Sequence, residues 1–356
     1  MADEPKAPGL GRWWARYRVF LYLLLGLVLM DVGVASFRRV WRAYDPDDYR
    51  DRVENCRAHP ADLVVVGGST VCEGVDPAAL EGLYWRGQIL RRAYNLGLPG
   101  ATMLEVWHAV RRGLPTPPRL LVYGITASDL NDSRLEAHGP RSLMTAADLA
   151  DLARTSPQTA LWCLKHYGRE QMAGAWNLFY YRNGIRLWAA DHLERLWPGL
   201  CPAAAAEARE GLRSSAAMRR PNGFAPQPVV QARRLDQLKA NGWPGVPFRF
   251  LDNYRLGGHL HCLDRLLDWA ADRGVDVVLV DMPVSQDLEE RLHPQEFARY
   301  RAALAAVEQR RGVRVLRAHR AAVGLTDADF GDLIHLNAQG TARLGAWLQR
   351  QLSAGS

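Results

Sequence analysis

Short apolar runs rich in valine and leucine recur along the chain and alternate with longer stretches of helical spacing. These runs predict β-strands, in chain order, at Asp62–Val66, Ala93–Leu96, Arg119–Gly124, Val275–Val280 and Val313–Leu316. Strands that are apolar throughout are typical of a parallel sheet buried on both faces, and the intervening helices supply those two covering layers. The chain is therefore predicted to fold as an α/β three-layer sandwich with a mainly parallel sheet.

Helical spacing of apolar residues fills the intervals between these strands. It predicts helices, in chain order, at Pro77–Tyr84, Thr102–Arg112, Leu260–Arg273, Pro294–Arg310 and Gln339–Leu352. Between the third and fourth strands, Ser142–Arg213 has helical character, and the glycines and prolines of Met218–Phe248 predict an extended surface segment. We therefore expect one domain over residues 61–356, with a helical and extended insertion at about 140–250.

An apolar segment near the N-terminus, Val19–Phe37, predicts a membrane anchor. It contains one charged residue, Asp31, and approaches the roughly 20 residues that a helix needs to cross the hydrocarbon core. Arginines flank both ends, and aromatic residues of the kind found at bilayer interfaces precede it. We predict an arm at residues 1–18, a single transmembrane helix at 19–37 and a linker at 38–60. A buried amphipathic helix is the alternative interpretation of this segment.

The charge pattern argues against nucleic acid as a partner. The net charge is +7, but the 45 basic residues, all but three of them arginine, are scattered along the chain. No zinc-finger or RNA-binding motif accompanies them. A basic protein of this kind is compatible with anionic lipid or an anionic envelope polymer.

No residue pattern indicates a cofactor. The five cysteines lie at no metal-ligand spacing, and neither a glycine-rich dinucleotide motif nor a phosphate-loop lysine is present. His259 and His261 could be read as metal ligands, but their place where a loop enters a helix favours a structural or surface role. We therefore predict neither a metal nor a cofactor.

The first predicted strand runs directly into two glycines and a serine, Gly67-Gly68-Ser69. Reactive groups in open α/β sheets collect at the carboxyl ends of strands, where the following loops expose them. Glycines allow a tight turn there and leave room for a substrate. Ser69 is therefore a candidate nucleophile, although a glycine-serine turn after a strand also occurs without any catalytic role.

Asp332 and His335 lie three residues apart, just before the last predicted helix. At this spacing the carboxylate can hold the imidazole Nδ1–H and leave Nε2 to take a proton from a serine. The alternative is that Asp332 caps the last helix.

Together the two patterns resemble the SGNH (GDSL-like) hydrolase superfamily, which places its serine after the first strand and its aspartate and histidine near the C-terminus. The resemblance implies a flavodoxin-like sandwich, a triad of Ser69, Asp332 and His335, and hydrolysis or transfer of acyl esters. It extends to Asn95–Thr102, which is similar to the second conserved block of that superfamily. By position, Gly100 would then join Ser69 as a backbone donor of the oxyanion hole.

The third conserved block departs from the family pattern, in which an asparagine after the strand donates to the oxyanion. Here Thr126 occupies the asparagine position, and Asn131 follows five residues later. Three arrangements remain open: Asn131 reaches back from a longer loop, Thr126 substitutes for the asparagine, or the hole consists of backbone groups alone.

The anchor, the glycine-serine turn that ends at Ser69, the block that begins at Asn95 and the late pair of Asp332 and His335 together resemble one branch in particular. That branch is the cell-envelope SGNH proteins of alginate acetylation and teichoic-acid D-alanylation. This resemblance implies an envelope polymer substrate such as a polysaccharide, a membrane-bound O-acyltransferase as partner, and a catalytic domain outside the cytoplasm. Asp31 would then lie near the interface or face a helix of that partner. The alternative function is a non-catalytic binding or assembly subunit on the same scaffold.

Overall fold

Two compact units make up the chain. The computed structural model describes residues 10–44, 48–134, 145–161, 163–164, 176–218, 221–224, 253–290 and 294–354. The first unit comprises Met1–Pro46 and Gln171–Ser215, and the second comprises Asp47–Glu170 and Ala216–Ser356. The predicted extended segment over Met218–Phe248 and the start of the predicted arm, residues 1–9, fall largely outside the described residues.

The second unit is built on a five-stranded sheet in the order β4-β1-β5-β6-β7, with every neighbouring pair parallel. Its strands are β1 (Leu63–Gly67), β4 (Ala93–Gly97), β5 (Leu120–Ile125), β6 (Asp276–Asp281) and β7 (Arg314–Arg317). Each predicted strand is present within one residue of its predicted ends, because a strand buried on both faces reads as an uninterrupted apolar run. The predicted α/β sandwich with a parallel sheet is thus confirmed.

Helices cover both faces of this sheet. In chain order the α-helices are α1 (Leu10–Ser36), α2 (Arg38–Tyr44), α3 (Asp48–Ala58), α4 (Ser69–Gly74), α5 (Met103–Gly113), α6 (Ala146–Thr155), α7 (Asn177–Tyr180), α8 (Arg182–Leu196), α9 (Pro202–Met218), α10 (Gly258–Ala271), α11 (Gln286–Glu289), α12 (Pro294–Arg311), α13 (Arg320–Val323) and α14 (Ala338–Ser353). Alternate residues of β1 belong to two separate hydrophobic cores. Val64 and Val66 lie in the core that contains residues of α3, α5, α10 and α12. Leu63 and Val65 lie in the core that contains residues of α4 and α14.

The structure differs from the predicted helix over Pro77–Tyr84. Only Pro77–Leu80 is helical, as a 3-10 turn, and an antiparallel hairpin follows with strands β2 (Leu83–Trp85) and β3 (Gln88–Leu90). The residues between the strands, Arg86 and Gly87, both have positive φ, at 42° and 81°. Two successive positive φ values make a tight hairpin turn, and the Arg86-Gly87 pair is the signal that the helical interpretation overlooked.

The predicted linker over residues 38–60 is also different in the structure, where it forms α2 and α3. Tyr49, Val53 and Cys56 of α3 are buried in the main core. Their spacing of four and three residues is that of one helical face, although the charged residues between them lower the mean hydropathy of the segment. The folded part of the second unit therefore begins before the first strand of the sheet.

The first unit joins α1 and α2 to α7, α8 and α9, so the middle of the predicted insertion packs with the N-terminal helices. Tyr44 of α2 donates a hydrogen bond to Asp191 of α8 at 3.1 Å, and the Trp41 and Trp188 rings meet edge to face at 5.5 Å. In α1, the candidate span Tyr17–Ser36 contains an 18-residue window with a mean hydropathy of 2.2, and none of that window is buried. This helix is long and apolar enough to span a membrane.

We predict that His108 of α5 makes the fold sensitive to acid. Burial lowers its pKa from 6.5 to about 4, so the imidazole is neutral at neutral pH and its 3.7 Å approach to Asp148 is not an ion pair there. Between these two pKa values the unfolded chain binds a proton that the folded chain excludes, and stability is lost as the pH falls.

Wild type should therefore lose about 2 kcal/mol more unfolding free energy than His108→Gln on going from about pH 7.5 to about pH 5. Chemical denaturation of both proteins in one detergent, at the two pH values, measures the difference. Equal losses in the two proteins would show that His108 does not control the acid sensitivity.

Candidate active site

Ser69 is the first residue of α4, directly after the carboxyl end of β1. The helix lies close against the ends of three adjacent strands, and a glycine stands at each point of contact. A Cβ on Gly67 or Gly124 would overlap the Val71 side chain, and a Cβ on Gly97 would overlap the backbone of Cys72. These glycines let α4 approach the sheet closely enough to bring Ser69 to its edge.

Asn95 of β4 ties the same helix to the sheet. Its fully buried side-chain amide donates to the carbonyl oxygens of Val71 at 2.8 Å and Val75 at 2.7 Å, and its Oδ1 accepts from the Gly97 N–H at 2.7 Å. Two of these hydrogen bonds hold the backbone of α4 and its C-terminal end, and the third fixes the Asn95 side chain within β4. Breaking any of them would leave a buried polar group unpaired. Asn95 therefore helps to fix where Ser69 stands.

The structure brings Ser69, His335 and Asp332 into one hydrogen-bonded chain. His335 Nε2 lies 2.8 Å from Ser69 Oγ, and His335 Nδ1 lies 2.7 Å from Asp332 Oδ2. An ionised carboxylate only accepts hydrogen bonds, so Nδ1 carries the proton and Nε2 is the acceptor for the serine hydroxyl. This is the arrangement in which an imidazole can take the serine proton.

Asp332 does not cap the last helix. Asn337 does so, since its Oδ1 accepts from the N–H groups of Gln339 and Gly340 at 3.0 and 3.1 Å. The other oxygen of Asp332 accepts from the backbone N–H groups of Ile334 and His335 at 2.9 and 2.8 Å. The carboxylate is thus held by its own loop with one oxygen left for the imidazole.

The pKa values of the pair are shifted in opposite directions. Burial raises the pKa of Asp332, but the hydrogen bond and charge of His335, with the two backbone donors, outweigh it and leave this pKa below its usual value. Burial lowers the pKa of His335, but the hydrogen bond and charge of Asp332 and then the charge of Glu73 outweigh it and raise this pKa above 6.5. The arrangement stabilises an imidazolium beside a carboxylate, which is the state that follows proton transfer from a serine.

Gly100 lies in a tight turn next to the end of β4. The Ala101 N–H donates to the Leu98 carbonyl at 3.0 Å, and Gly100 has a φ of 72°. Positive φ at the third residue of a turn, after a proline, is typical of a type II turn. The Tyr49 hydroxyl of α3 donates to the Pro99 carbonyl at 3.0 Å, so a helix absent from the sequence-based prediction supports this turn.

Thr126 lines the cavity beside Ser69, but its hydroxyl proton is used within the loop. The hydroxyl donates to Asp129 Oδ2 at 3.0 Å, and its oxygen lies 2.8 Å from Ser128 Oγ. Because a hydroxyl has one proton, Ser128 must be the donor in that second contact. In this arrangement Thr126 and Ser128 both direct their protons into the loop and away from a bound substrate.

Asn131, one of the three groups left open for the oxyanion hole, lies outside the lining of the cavity beside Ser69. It is fully buried, and its Oδ1 accepts from the N–H groups of Ser133 and Arg255 at 3.2 and 3.1 Å. The next residue, Asp132, accepts from the Gly258 and His259 N–H groups at 2.8 and 2.9 Å at the start of α10. The Asn131-Asp132 pair thus joins this loop to α10, and Asn131 is not among the residues that line the cavity.

The cavity beside Ser69 is small and encloses about 50 Å³. Its polar lining residues include Ser69, Thr126, Ser128, Asp129 and Asp281, and its apolar ones are Ala101, Ala127, Met282, Val284, Leu288, Phe297 and Ile334. Asp129 Oδ1 lies 3.8 Å from where a Cβ on Gly68 would stand. Asp129, Asp281 and the apolar lining residues could not be predicted as site residues from the sequence. They follow the ends of separate strands, and only the order of the strands in the sheet brings them together.

Comparisons with known proteins find likeness in structure only. No protein family and no curated protein matches the chain by sequence. An acylhydrolase of Bacteroides fragilis aligns at 12% identity over 82% of this chain and 86% of its own, with a TM-score of 0.35. A lipase/acylhydrolase of Enterococcus faecalis aligns at 11% identity over 82% of this chain and 96% of its own, with a TM-score of 0.37. The activity is therefore argued from the site itself.

The hydrogen bonds of Thr126, and the burial of Asn131 away from the cavity lining, predict that neither side chain serves the oxyanion hole. Thr126→Val should lower kcat by much less than the roughly 100-fold that follows loss of an oxyanion donor. Asn131→Ala should lower the thermal midpoint, since it leaves buried backbone groups unpaired. Steady-state kinetics with an activated ester, alongside thermal unfolding, separates the two effects. A loss near 100-fold in kcat for either folded variant would assign that side chain to the hole.

The raised pKa of His335 predicts the acid limb of the pH profile. The imidazole must be neutral to accept the serine proton, so kcat/KM should fall as the pH drops through a midpoint above 6.5. Glu73→Gln removes one of the charges that raise this pKa, and its midpoint should lie lower than that of wild type. A Glu73→Gln midpoint equal to or above that of wild type, in ester hydrolysis assays, would contradict this electrostatic account.

Proposed function

We propose that the chain is a serine-dependent hydrolase or O-acyltransferase of acyl esters, with Ser69 as nucleophile, His335 as general base and Asp332 as the group that orients His335. The observation that carries this proposal is the continuous set of contacts from Ser69 Oγ through both ring nitrogens of His335 to Asp332, at 2.8 and 2.7 Å. Residues 266 positions apart in the chain meet there with the donor and acceptor order that nucleophilic catalysis requires.

The first half of the reaction forms an acyl-serine. Ser69 Oγ attacks the ester carbonyl carbon while its proton passes to His335 Nε2. The negative charge that develops on the carbonyl oxygen is stabilised by backbone N–H groups, for which we propose those of Ser69 and Gly100. As the tetrahedral intermediate collapses, the bond to the alcohol oxygen breaks and His335 returns the proton to that oxygen.

The second half regenerates the serine. Water or a hydroxyl group of an acceptor gives its proton to His335 Nε2 and attacks the acyl carbon. The bond between the acyl carbon and Ser69 Oγ then breaks as His335 returns the proton to Oγ. Water yields a free acid and makes the protein an esterase. An acceptor hydroxyl yields a new ester and makes it an O-acyltransferase, with the same residues in the same roles.

The size of the cavity favours a short acyl group. A space of about 50 Å³, with Met282, Leu288 and Phe297 among its lining residues, accommodates an acetyl group more readily than a long chain. Apolar side chains around the acyl methyl would contribute binding energy in proportion to the area that they cover.

The site of action follows from the anchor and from the family resemblance. We propose that α1 anchors the chain in the cell membrane as a single span, with the catalytic unit outside the cytoplasm. The proposed substrate is an acyl ester of an envelope polymer, and the proposed partner is a membrane-bound O-acyltransferase. These three statements rest on the length and hydropathy of Tyr17–Ser36 and on the resemblance to envelope SGNH proteins.

A second candidate function is a catalytically weak binding or assembly subunit. The observation in its favour is the loop after β5, where Thr126 replaces the expected asparagine and the buried Asp129 carboxylate borders the cavity. A carboxylate close to the reacting carbonyl would oppose the build-up of negative charge on its oxygen. The intact Ser69–His335–Asp332 geometry favours the enzyme.

The triad predicts how single and combined substitutions behave. Ser69→Ala and His335→Ala should each lower kcat by roughly 10⁴-fold or more, and the double variant should lose little beyond that, because the residues act as a unit. Hydrolysis of acetyl, butyryl and octanoyl p-nitrophenyl esters measures this, and acetyl should be the preferred group.

Thr341→Ser is a matched control, since Thr341 lies on α14 near the triad loop and serine keeps the hydroxyl that donates to the Glu73 carbonyl. It should retain wild-type kcat. Absence of any Ser69-dependent turnover in folded wild-type protein would favour the assembly subunit, and a preference for octanoyl esters would contradict the proposed acyl group.

A further inference from the structure

Asp31, the one charged residue in the apolar stretch of α1, binds another segment of the same chain. Its Oδ1 accepts from the Leu178 backbone N–H at 2.7 Å, and its Oδ2 accepts from the Asn177 side-chain amide at 3.0 Å. Both carboxylate oxygens therefore have donors within the first unit, at the start of α7. Of the two placements expected for Asp31, near the interface or against a partner helix, these contacts favour the first.

These hydrogen bonds hold the start of α7 at the same depth in the membrane as Asp31. The 20 residues Tyr17–Ser36 measure about 30 Å as a helix, which matches the hydrocarbon core. Asp31 lies five residues before Ser36, or about 7.5 Å from that end of the span. Asn177 and Leu178 are thus held beside the outer part of the span, where hydrocarbon gives way to headgroups.

The side chains around this contact have the chemistry of that boundary. Trp176 and Phe179 are 47% and 42% exposed, which leaves two large aromatic rings without cover in the first unit. The Arg182 guanidinium lies 4.0 Å from the Phe179 ring centroid and donates to the Phe179 carbonyl at 2.6 Å. Aromatic rings with a neighbouring arginine are typical of bilayer interfaces, where the rings enter the acyl boundary and the guanidinium meets the headgroups.

We propose that residues 176–182 form a second membrane contact, held against the end of α1 by Asp31, with Trp176 and Phe179 inserted into the lipid interface. The occupant of this aromatic surface is the bilayer that α1 spans, because the contacts with Asp31 hold these rings beside the exposed apolar residues of α1. The inference rests on the proposed span by α1. A single transmembrane helix can rotate about its own axis. A second membrane contact beside it prevents this rotation and therefore fixes the direction in which α2 and α8 leave the membrane.

The test places an environment-sensitive label at Phe179. Four of the five cysteines are buried, so Cys201→Ser provides a background in which one new cysteine reacts with a nitrobenzoxadiazole reagent. The full-length chain carries the label at Phe179→Cys, at Leu25→Cys within the span, or at the exposed Arg213→Cys of α9. Each protein is reconstituted in vesicles of phosphatidylcholine and phosphatidylglycerol that contain nitroxide lipids with the quencher at a shallow or a deep position.

The label at Phe179 should lose roughly half of its emission with the shallow quencher and less with the deep one, as expected at the headgroup boundary. The label at Leu25 should show the opposite order, and the label at Arg213 should respond to neither. Asp31→Leu should abolish quenching at Phe179 and leave that at Leu25 unchanged. Strong quenching at Leu25 without quenching at Phe179 would overturn the second contact and favour a protein partner on these rings. Loss of quenching at Leu25 itself would instead refute the span.

Discussion

The close packing of α4 against the ends of β1, β4 and β5 is the constraint on which the site depends. It requires glycine at Gly67, Gly97 and Gly124, since a Cβ at any of them would overlap α4. The other end of the same short helix receives the loop that carries Asp332 and His335. Leu336 packs on Gly74 at 3.6 Å from the position of a Cβ, and Thr341 donates to the Glu73 carbonyl at 3.4 Å. One helix of six residues thus sets the distance between the serine and its base.

Sequence patterns predicted the sheet and the positions of the reactive residues because both depend on local signals. Buried parallel strands are apolar without interruption, and the Gly67-Gly68-Ser69 turn and the Asp332 to His335 spacing are visible over a few residues. The α3 helix escaped prediction because its buried face is narrow, at Tyr49, Val53 and Cys56, and charged residues lie between. The hairpin over Leu83–Leu90 escaped because its apolar spacing also suits a helix.

The roles of individual polar residues were harder to predict, because they depend on which distant groups lie nearby. Asn131 has the residue type of an oxyanion donor, yet it is fully buried outside the cavity lining, where its oxygen accepts from the N–H groups of Ser133 and Arg255. Asp31 is a charged residue of the kind that can contact a partner helix within the membrane, yet it binds Asn177 and Leu178, 146 and 147 positions away. In each case a hydrogen bond to a remote part of the chain decides the role. The spacing of residues along the sequence does not indicate such bonds.

The central claim is that His335 and Asp332 activate Ser69, and covalent labelling by a fluorophosphonate tests it most directly. In such probes phosphorus bears fluoride, which an activated serine hydroxyl displaces to give a phosphonylated serine, and activation requires a nearby base. The account predicts that peptide mapping by mass spectrometry finds the adduct on Ser69 in wild type. It also predicts that the labelling rate falls by at least about 100-fold in His335→Ala. An adduct on another residue, or an unchanged rate in His335→Ala, would contradict the account.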